Sequence, residues 1–224
     1  MEIIPNVHLI PNIVANPYLI IDPDGLTLID AGLPGNHKKI LKYISDLGHT
    51  PTDLKRIIIT HADIDHIGSL SALKKASGAQ ILTSKIEAEA MAQGKPSRQI
   101  QSGMVLRKVL MGIMLHFMPP IAVEADVILN EGQILPVLGG LRVVETPGHT
   151  PGHISLFSPS TGILFTGDSI VTQEGVLVRS VKANTWDEAK ADESARKQAA
   201  LGAQIVCPGH GAVVKEAGDK FPKL

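Results

Sequence analysis

The chain has 224 residues, 19% of them charged and 44% hydrophobic, with a formal net charge of -1. That balance excludes an extended disordered chain and a strongly basic nucleic-acid binder, and the length sets a bound of one large domain or one domain with an insertion. The single cysteine, Cys207, has no partner for an intramolecular disulfide, so the expected setting is reducing and cytoplasmic.

In chain order, residues 1–11 carry no basic n-region and are interrupted at Pro5 and Pro11, so neither a signal peptide nor a spanning helix is expected there. Tyr18-Leu19-Ile20-Ile21, Asp22-Pro23-Asp24-Gly25 and Leu26-Thr27-Leu28-Ile29 read as strand, tight turn and strand. Proline presets φ and glycine accepts positive φ, which suits a hairpin. Residues 37–47 then place Ile40, Leu41, Ile44 and Leu47 at helical spacing before Gly48. Arg56-Ile57-Ile58-Ile59 is a short buried strand running into Thr60-His61-Ala62-Asp63-Ile64-Asp65-His66, with a helix expected over 69–77 and a strand at 80–83.

Residues of about 94–125 break this alternation, since four of the six methionines fall within 103–118, ahead of Pro119-Pro120. The run is too short, and too charged at Arg107-Lys108, to span a bilayer. It reads as a core helix, a contact surface for a second copy, or a lid over a substrate pocket, methionine being an adaptable binding residue. The remainder repeats the first plan: strands at 154–157 and 163–168 form a hairpin ending in Asp168, as the earlier one ends in Asp30. Thr185-Trp186-Asp187-Glu188 is a capping-box pattern for a helix to Leu201, and the last strand, 204–207, leads into Pro208-Gly209-His210-Gly211. In each cluster a strand delivers histidine or aspartate to a loop at its carboxyl end, where open α/β sheets put their sites.

Five of the nine histidines lie in three short clusters, with His61, Asp63, Asp65 and His66 packed into six residues. Alternation at 61, 63 and 65 lets an extended segment aim three side chains one way while His66 turns toward a neighbouring point. Thr146-Pro147-Gly148-His149-Thr150-Pro151-Gly152-His153 and the His210 turn add imidazoles on glycine-permitted loops. Together these clusters resemble those of the metallo-β-lactamase-fold hydrolases, in the branch of glyoxalase II and lactonases. The resemblance runs from Leu28-Ile29-Asp30-Ala31-Gly32 to Pro208-Gly209-His210-Gly211. It implies an α/β fold, an αββα sandwich of two similar halves, with residues 1–224 forming one such domain. It implies two divalent metal ions: His61, Asp63 and His149 resemble the ligands of the first, Asp65, His66 and His210 those of the second, and Asp168 the bridging carboxylate. His153 resembles a supporting residue, Asp30 an orienting one, and Cys207 reads as a small buried hydrophobe.

One position departs from the pattern. The family usually carries His-X-His-X-Asp-His, whereas this chain has Asp63 in the middle ligand position. The extra anion is expected to weaken the Lewis acidity of the pair and to admit manganese or iron beside zinc. The chemistry implied is hydrolysis by a metal-bridging hydroxide attacking an ester, lactone, thioester or lactam carbonyl, with Asp65 fixing the water and taking its proton. The substrate expected is a small molecule with an apolar portion; no nucleic acid and no stable membrane insertion are expected, and a homodimer is open. Alternatives of the same fold are a phosphodiesterase or nuclease, a diiron redox protein of the kind that carries an acid at position 63, and a non-catalytic metal-binding protein.

Overall fold

The computed structural model describes residues 1–98 and 122–222. Its first half is a seven-stranded sheet built in chain order from β1 (Glu2–Ile4), β2 (Val7–Leu9), β3 (Tyr18–Asp22), β4 (Gly25–Ile29), β5 (Leu54–Ile58), β6 (Gln80–Ser84) and β7 (Val127–Leu129). The first four strands pair antiparallel and the last four parallel. Parallel neighbours need crossovers. These are α1 (His37–Asp46), then α2 (Ile64–Ile67) and α3 (Leu70–Ser77), then α4 (Lys85–Ala92).

The second sheet comprises β8 (Ile134–Leu135), β9 (Leu141–Glu145), β10 (Ile154–Ser158) and β11 (Ile163–Gly167), with β14 (Ile205–Pro208) and β15 (Val214–Lys215) added beyond β11. Between β11 and β14 the chain forms a separate hairpin of β12 (Ile170–Gln173) and β13 (Val176–Arg179), then the helix α5 (Glu188–Ala199). The two halves share a device. The β3–β4 hairpin hands over to a parallel partner, β5, and the β10–β11 hairpin to a parallel partner, β14.

The central strands are buried on both faces, so β4 and β11 are covered at nearly every position, Thr27 and Thr166 included, rather than alternating. Between the sheets, Tyr18, Ile20, Ile29 and Ile58 pack on Leu156, Phe165 and Cys207, with the Tyr18 and Phe165 rings edge to face at 5.2 Å. Burial pushes the Cys207 thiol far up, leaving it an apolar filler. On the outside of the first sheet, Ile40 and Ile44 of α1 and Leu73 of α3 cover Leu28 and Ile57; on the outside of the second, Ala195 of α5 covers Leu164 and Val206. The result is the αββα sandwich.

One sequence expectation is refined. The last helix is capped by Asp187, whose carboxylate accepts the Lys190 N–H at 3.0 Å. Thr185 instead donates its hydroxyl to the carbonyls of Ser180 and Val181, which holds it in the turn before the helix. The methionine-rich segment 103–118, expected as a lid, core helix or contact surface, lies outside the described residues. No helix among the described residues is long and apolar enough to cross a membrane.

The halves are tied beside the loops that carry the histidines. Glu87, buried at the start of α4, accepts four hydrogen bonds: from the Ala62 N–H at 2.9 Å, the Gly152 N–H at 3.0 Å, the Thr150 hydroxyl at 2.6 Å and the Ser97 hydroxyl at 2.9 Å. Burial pushes its carboxyl up from the usual value, against the pull of these donors. A carboxylate is acceptor-only and meets all four, whereas an amide turns its own N–H toward one of them. Glu87→Gln is therefore expected to lower the unfolding free energy by about 1–3 kcal/mol, read in urea as a lower midpoint at unchanged slope.

Candidate metal centre

The site lies at the carboxyl ends of β4, β5, β9, β11 and β14, where the five loops converge. Asp30, immediately after β4, holds a left-handed backbone with φ 61°, a conformation that aspartate tolerates better than most side chains. From there its carboxylate accepts the Thr60 N–H at 2.9 Å and the Thr60 hydroxyl at 2.9 Å, and it meets His66 Nδ1 at 2.8 Å. This fixes the His66 ring with Nε2 directed inward. His61 is set the same way by Thr60 Oγ1, 3.0 Å from its Nδ1, and His149 by Ser180 Oγ, 2.7 Å from its Nδ1. Such outer partners fix ring orientation and tautomer in metal sites.

His153 has both ring nitrogens engaged. Nδ1 meets Thr146 Oγ1 at 2.8 Å, and Nε2 accepts the Asp168 N–H at 3.0 Å, so this ring pins the backbone that presents Asp168. Burial, with His149 nearby, pulls its pKa down to about 3. The His210 loop is held from the other end of the chain: Asn16 donates to the Pro208 and Gly211 carbonyls at 3.0 and 2.8 Å, and the Tyr18 hydroxyl to the Pro208 carbonyl at 2.7 Å. Gly209 has no room for a side chain, since a Cβ there would stand 2.3 Å from Asp168 Oδ1 and 2.9 Å from His66 Cε1.

Three overlapping sets of side chains bring their ligand atoms within 4.8 Å of one another: His61, Asp63 and His149; Asp65, His66 and His210; and His61, His66 and Asp168. In the first, Asp63 Oδ2 lies 3.2 Å from His149 Nε2 and 3.7 Å from His61 Nε2. In the second, Asp65 Oδ2 lies 3.2 Å from His210 Nε2 and 4.0 Å from His66 Nε2. Asp168 stands between them, with Oδ2 3.6 Å from His149 Nε2 and 3.4 Å from His210 Nε2, and Oδ1 3.4 Å from His66 Nε2. The edge of a tetrahedron of nitrogen or oxygen ligands around zinc is about 3.3 Å, so these separations suit a small divalent cation in each set.

The donor set passes a second test of fit. His61 Nε2, His66 Nε2 and Asp168 Oδ1 are buried and have no hydrogen-bond partner among the described residues. One such atom costs roughly 1–3 kcal/mol; three facing a common space are explained by a cation that takes their lone pairs. The same groups perturb one another's protonation. Burial and the neighbouring His66 and His149 hold His61 well below its usual pKa. Burial also opposes charge on His66, but Asp168 and Asp30 outweigh it and raise that pKa well above the usual value. Asp168 and Asp65 likewise lift His210 to about 10, while burial of Asp168 is overcome by His66 and His210, leaving it well below the usual carboxylate range.

All seven residues singled out in the sequence stand together, but not by uniform alternation. The extended segment ends at Asp63, and α2 begins at Ile64, so a helical turn, not a pleat, carries Asp65 and His66 to the second set. Sequence reasoning missed Arg98, whose guanidinium bonds Asp63 Oδ2. It also missed Glu87, Thr60 and Ser180, which orient the loops and rings. Arg98 and Ser180 belong to no cluster, and only the fold brings them here.

A family model described as the metallo-beta-lactamase superfamily matches residues 11–210. The chain is similar to the probable metallo-hydrolase YflN of Bacillus subtilis, at 30% identity over 217 residues that cover 88% of this chain and 81% of that protein. A hydroxyacylglutathione hydrolase of Cereibacter sphaeroides is 29% identical over 174 residues, which are 76% of this chain and 52% of that longer protein. Among solved structures, a metallo-beta-lactamase of Cronobacter sakazakii with a HARLDQ motif aligns with a TM-score of 0.73 at 25% identity, over 94% of this chain and 77% of that one. With its layered fold and its ordered His and Asp clusters, the chain belongs to the metallo-beta-lactamase superfamily.

Proposed function

We propose that this hydrolase holds two divalent cations side by side and uses them to hydrolyse a carbonyl compound of the ester, thioester, lactone or lactam kind. The observation that carries the reading is the pair of ligand sets, His61, Asp63 and His149 beside Asp65, His66 and His210, with Asp168 facing both across unpartnered buried atoms. When bound, the cations supply Lewis acidity and lower the pKa of water. Zinc suits the imidazoles, and the carboxylate of Asp63 admits manganese or iron.

The chain's own groups divide the remaining work. Asp168 faces both sets and keeps their spacing fixed. Asp65 has a quarter of its side chain exposed, against a tenth for Asp168, so it is the carboxylate that solvent reaches, and it orients the attacking water and accepts its proton. Asp30, Thr60 and Ser180 keep the imidazoles in the tautomers that face inward. The carbonyl class is supported by the names of the relatives: one acts on an acylated glutathione and one is a β-lactamase, and both reactions deliver water to an acyl carbon. Near-zero net charge offers little to a nucleic-acid backbone, so phosphodiesters are the second choice.

Zinc-reconstituted protein is expected to turn over at least one member of a panel of lactones, thioesters, aryl esters and a β-lactam, and to lose that activity on chelation. A panel left untouched with zinc, manganese and iron, while Asp168→Ala changes stability alone, would defeat the reading. Asp65→Asn should lower kcat/KM by about 10²–10⁴-fold and also weaken zinc binding at the second set, so the rate is read per bound zinc from metal analysis of the same sample. Asp30→Asn, which keeps the backbone preference but weakens the acceptor for His66 and Thr60, should reduce zinc affinity by about 10–100-fold in chelator competition.

A further inference from the structure

Asp63 makes a contact that no motif announces. Arg98 lies beyond the end of α4, and its Nη2 bonds Asp63 Oδ2, while Nη1 is shared between the carbonyl oxygens of Asn184 and, at 3.3 Å, His149. Both charged side chains are largely shielded, with 12% of Arg98 and 18% of Asp63 exposed. The oxygen that Arg98 takes is the same Oδ2 that faces His149 Nε2 and His61 Nε2. Arg98 also contacts the backbone of a residue in the same set, His149. A fixed positive charge therefore stands directly behind the ligand oxygen of the first set, and among the described residues the second set has no lysine or arginine bonded to its carboxylates.

A guanidinium is always charged and repels any cation entering beside it. Its presence makes sense only with Asp63: carboxylate and guanidinium together offer the entering cation the net charge of a neutral ligand. The pair also restores the one unit of positive charge that Asp63 alone removes from the centre. A carboxylate oxygen has two lone pairs, so Oδ2 can accept from Arg98 on one side and face the imidazoles with the other.

We propose that Arg98 is a positioning residue for the first ligand set: it neutralises Asp63, fixes which side of Oδ2 faces His61 and His149, and makes this set the weaker of two cation sites. The inference rests on reading His61, Asp63 and His149 as ligands. It makes loading sequential, with the Asp65, His66 and His210 set filled first and the Arg98-backed set filled last and emptied first.

The test is zinc titration of chelator-stripped full-length protein against a chromophoric competitor, with no activity readout. In Arg98→Met the weaker binding step is expected to tighten at least about tenfold, or to appear where the wild type lacks it. Arg98→Gln, which keeps a donor for the two carbonyls, carries the same expectation should the Met variant fold poorly, and Arg98→Lys keeps the charge and should stay within about threefold of wild type. Asp63→His alone leaves the guanidinium facing imidazoles and should weaken or abolish that step, with Arg98→Met added to it restoring binding. Unchanged or weaker zinc binding in both neutral Arg98 variants, or strictly additive effects of the Asp63 and Arg98 changes, overturns the proposal. Failure of the underlying reading looks different: Asp63→Ala would then match wild type in both binding steps whatever stands at position 98.

Discussion

Polar atoms without partners, gathered in a buried space, are the constraint around which this protein is organised. Among the described residues, His61 Nε2, His66 Nε2 and Asp168 Oδ1 are buried without a hydrogen-bond partner; each would relax into a neighbour if its side chain could turn. The two imidazoles cannot turn because the opposite edge of each ring is already committed, and Asp168 is held at its backbone. Asp30 holds His66, Thr60 holds His61, and the ring of His153 holds the Asp168 backbone. The layer behind the site thus determines the chemistry of the layer in front, and the sheets exist, in functional terms, to bring five strand ends to one edge.

The two ligand sets are not equivalent in their surroundings. His61 and His149 are buried, and Asp63 is closed off by Arg98, whereas Asp65 and His210 are partly open to solvent. The most exposed of these side chains, His210 and Asp65, belong to the second set, where the proposed proton acceptor also stands. Arg98 stands on the first set alone among the described residues, so the fixed positive charge and the more exposed carboxylate lie on different sets, with Asp168 facing both.

Much of this was legible in the chain because the local chemistry is dense. His61, Asp63, Asp65 and His66 within one loop, and Asp30 and Asp168 at matching ends of matching hairpins, are patterns whose density survives without a structure. The layered fold followed from strand and helix alternation together with that resemblance. What was not legible depended on contacts across long separations. Arg98 is one basic residue among 21 lysines and arginines, in a stretch with no periodicity, and it meets Asp63 only after α4 has turned back over the site. Ser180 reaches His149 across 31 residues from a hairpin whose sequence gives no hint of a ring to hold. The Thr185 cap was misread because hydroxyls satisfy turn carbonyls as readily as helix amides, and the choice was made by Asp187 lying two residues on.

The bonds from Asn16 and Tyr18 to the His210 loop span 190 or more residues. That separation has a kinetic meaning. Contacts so distant in sequence form only after the intervening chain has ordered, because closing a loop of that size sacrifices entropy that nearer contacts must first offset. The second half can seat its last strands on β11 from nearer contacts, yet the His210 loop is fastened only when Asn16 and Tyr18 of the first half reach it. His61, Asp63, Asp65 and His66 are neighbours in any state of the chain, but the set completed by His210 is expected to close late, after both halves are in place.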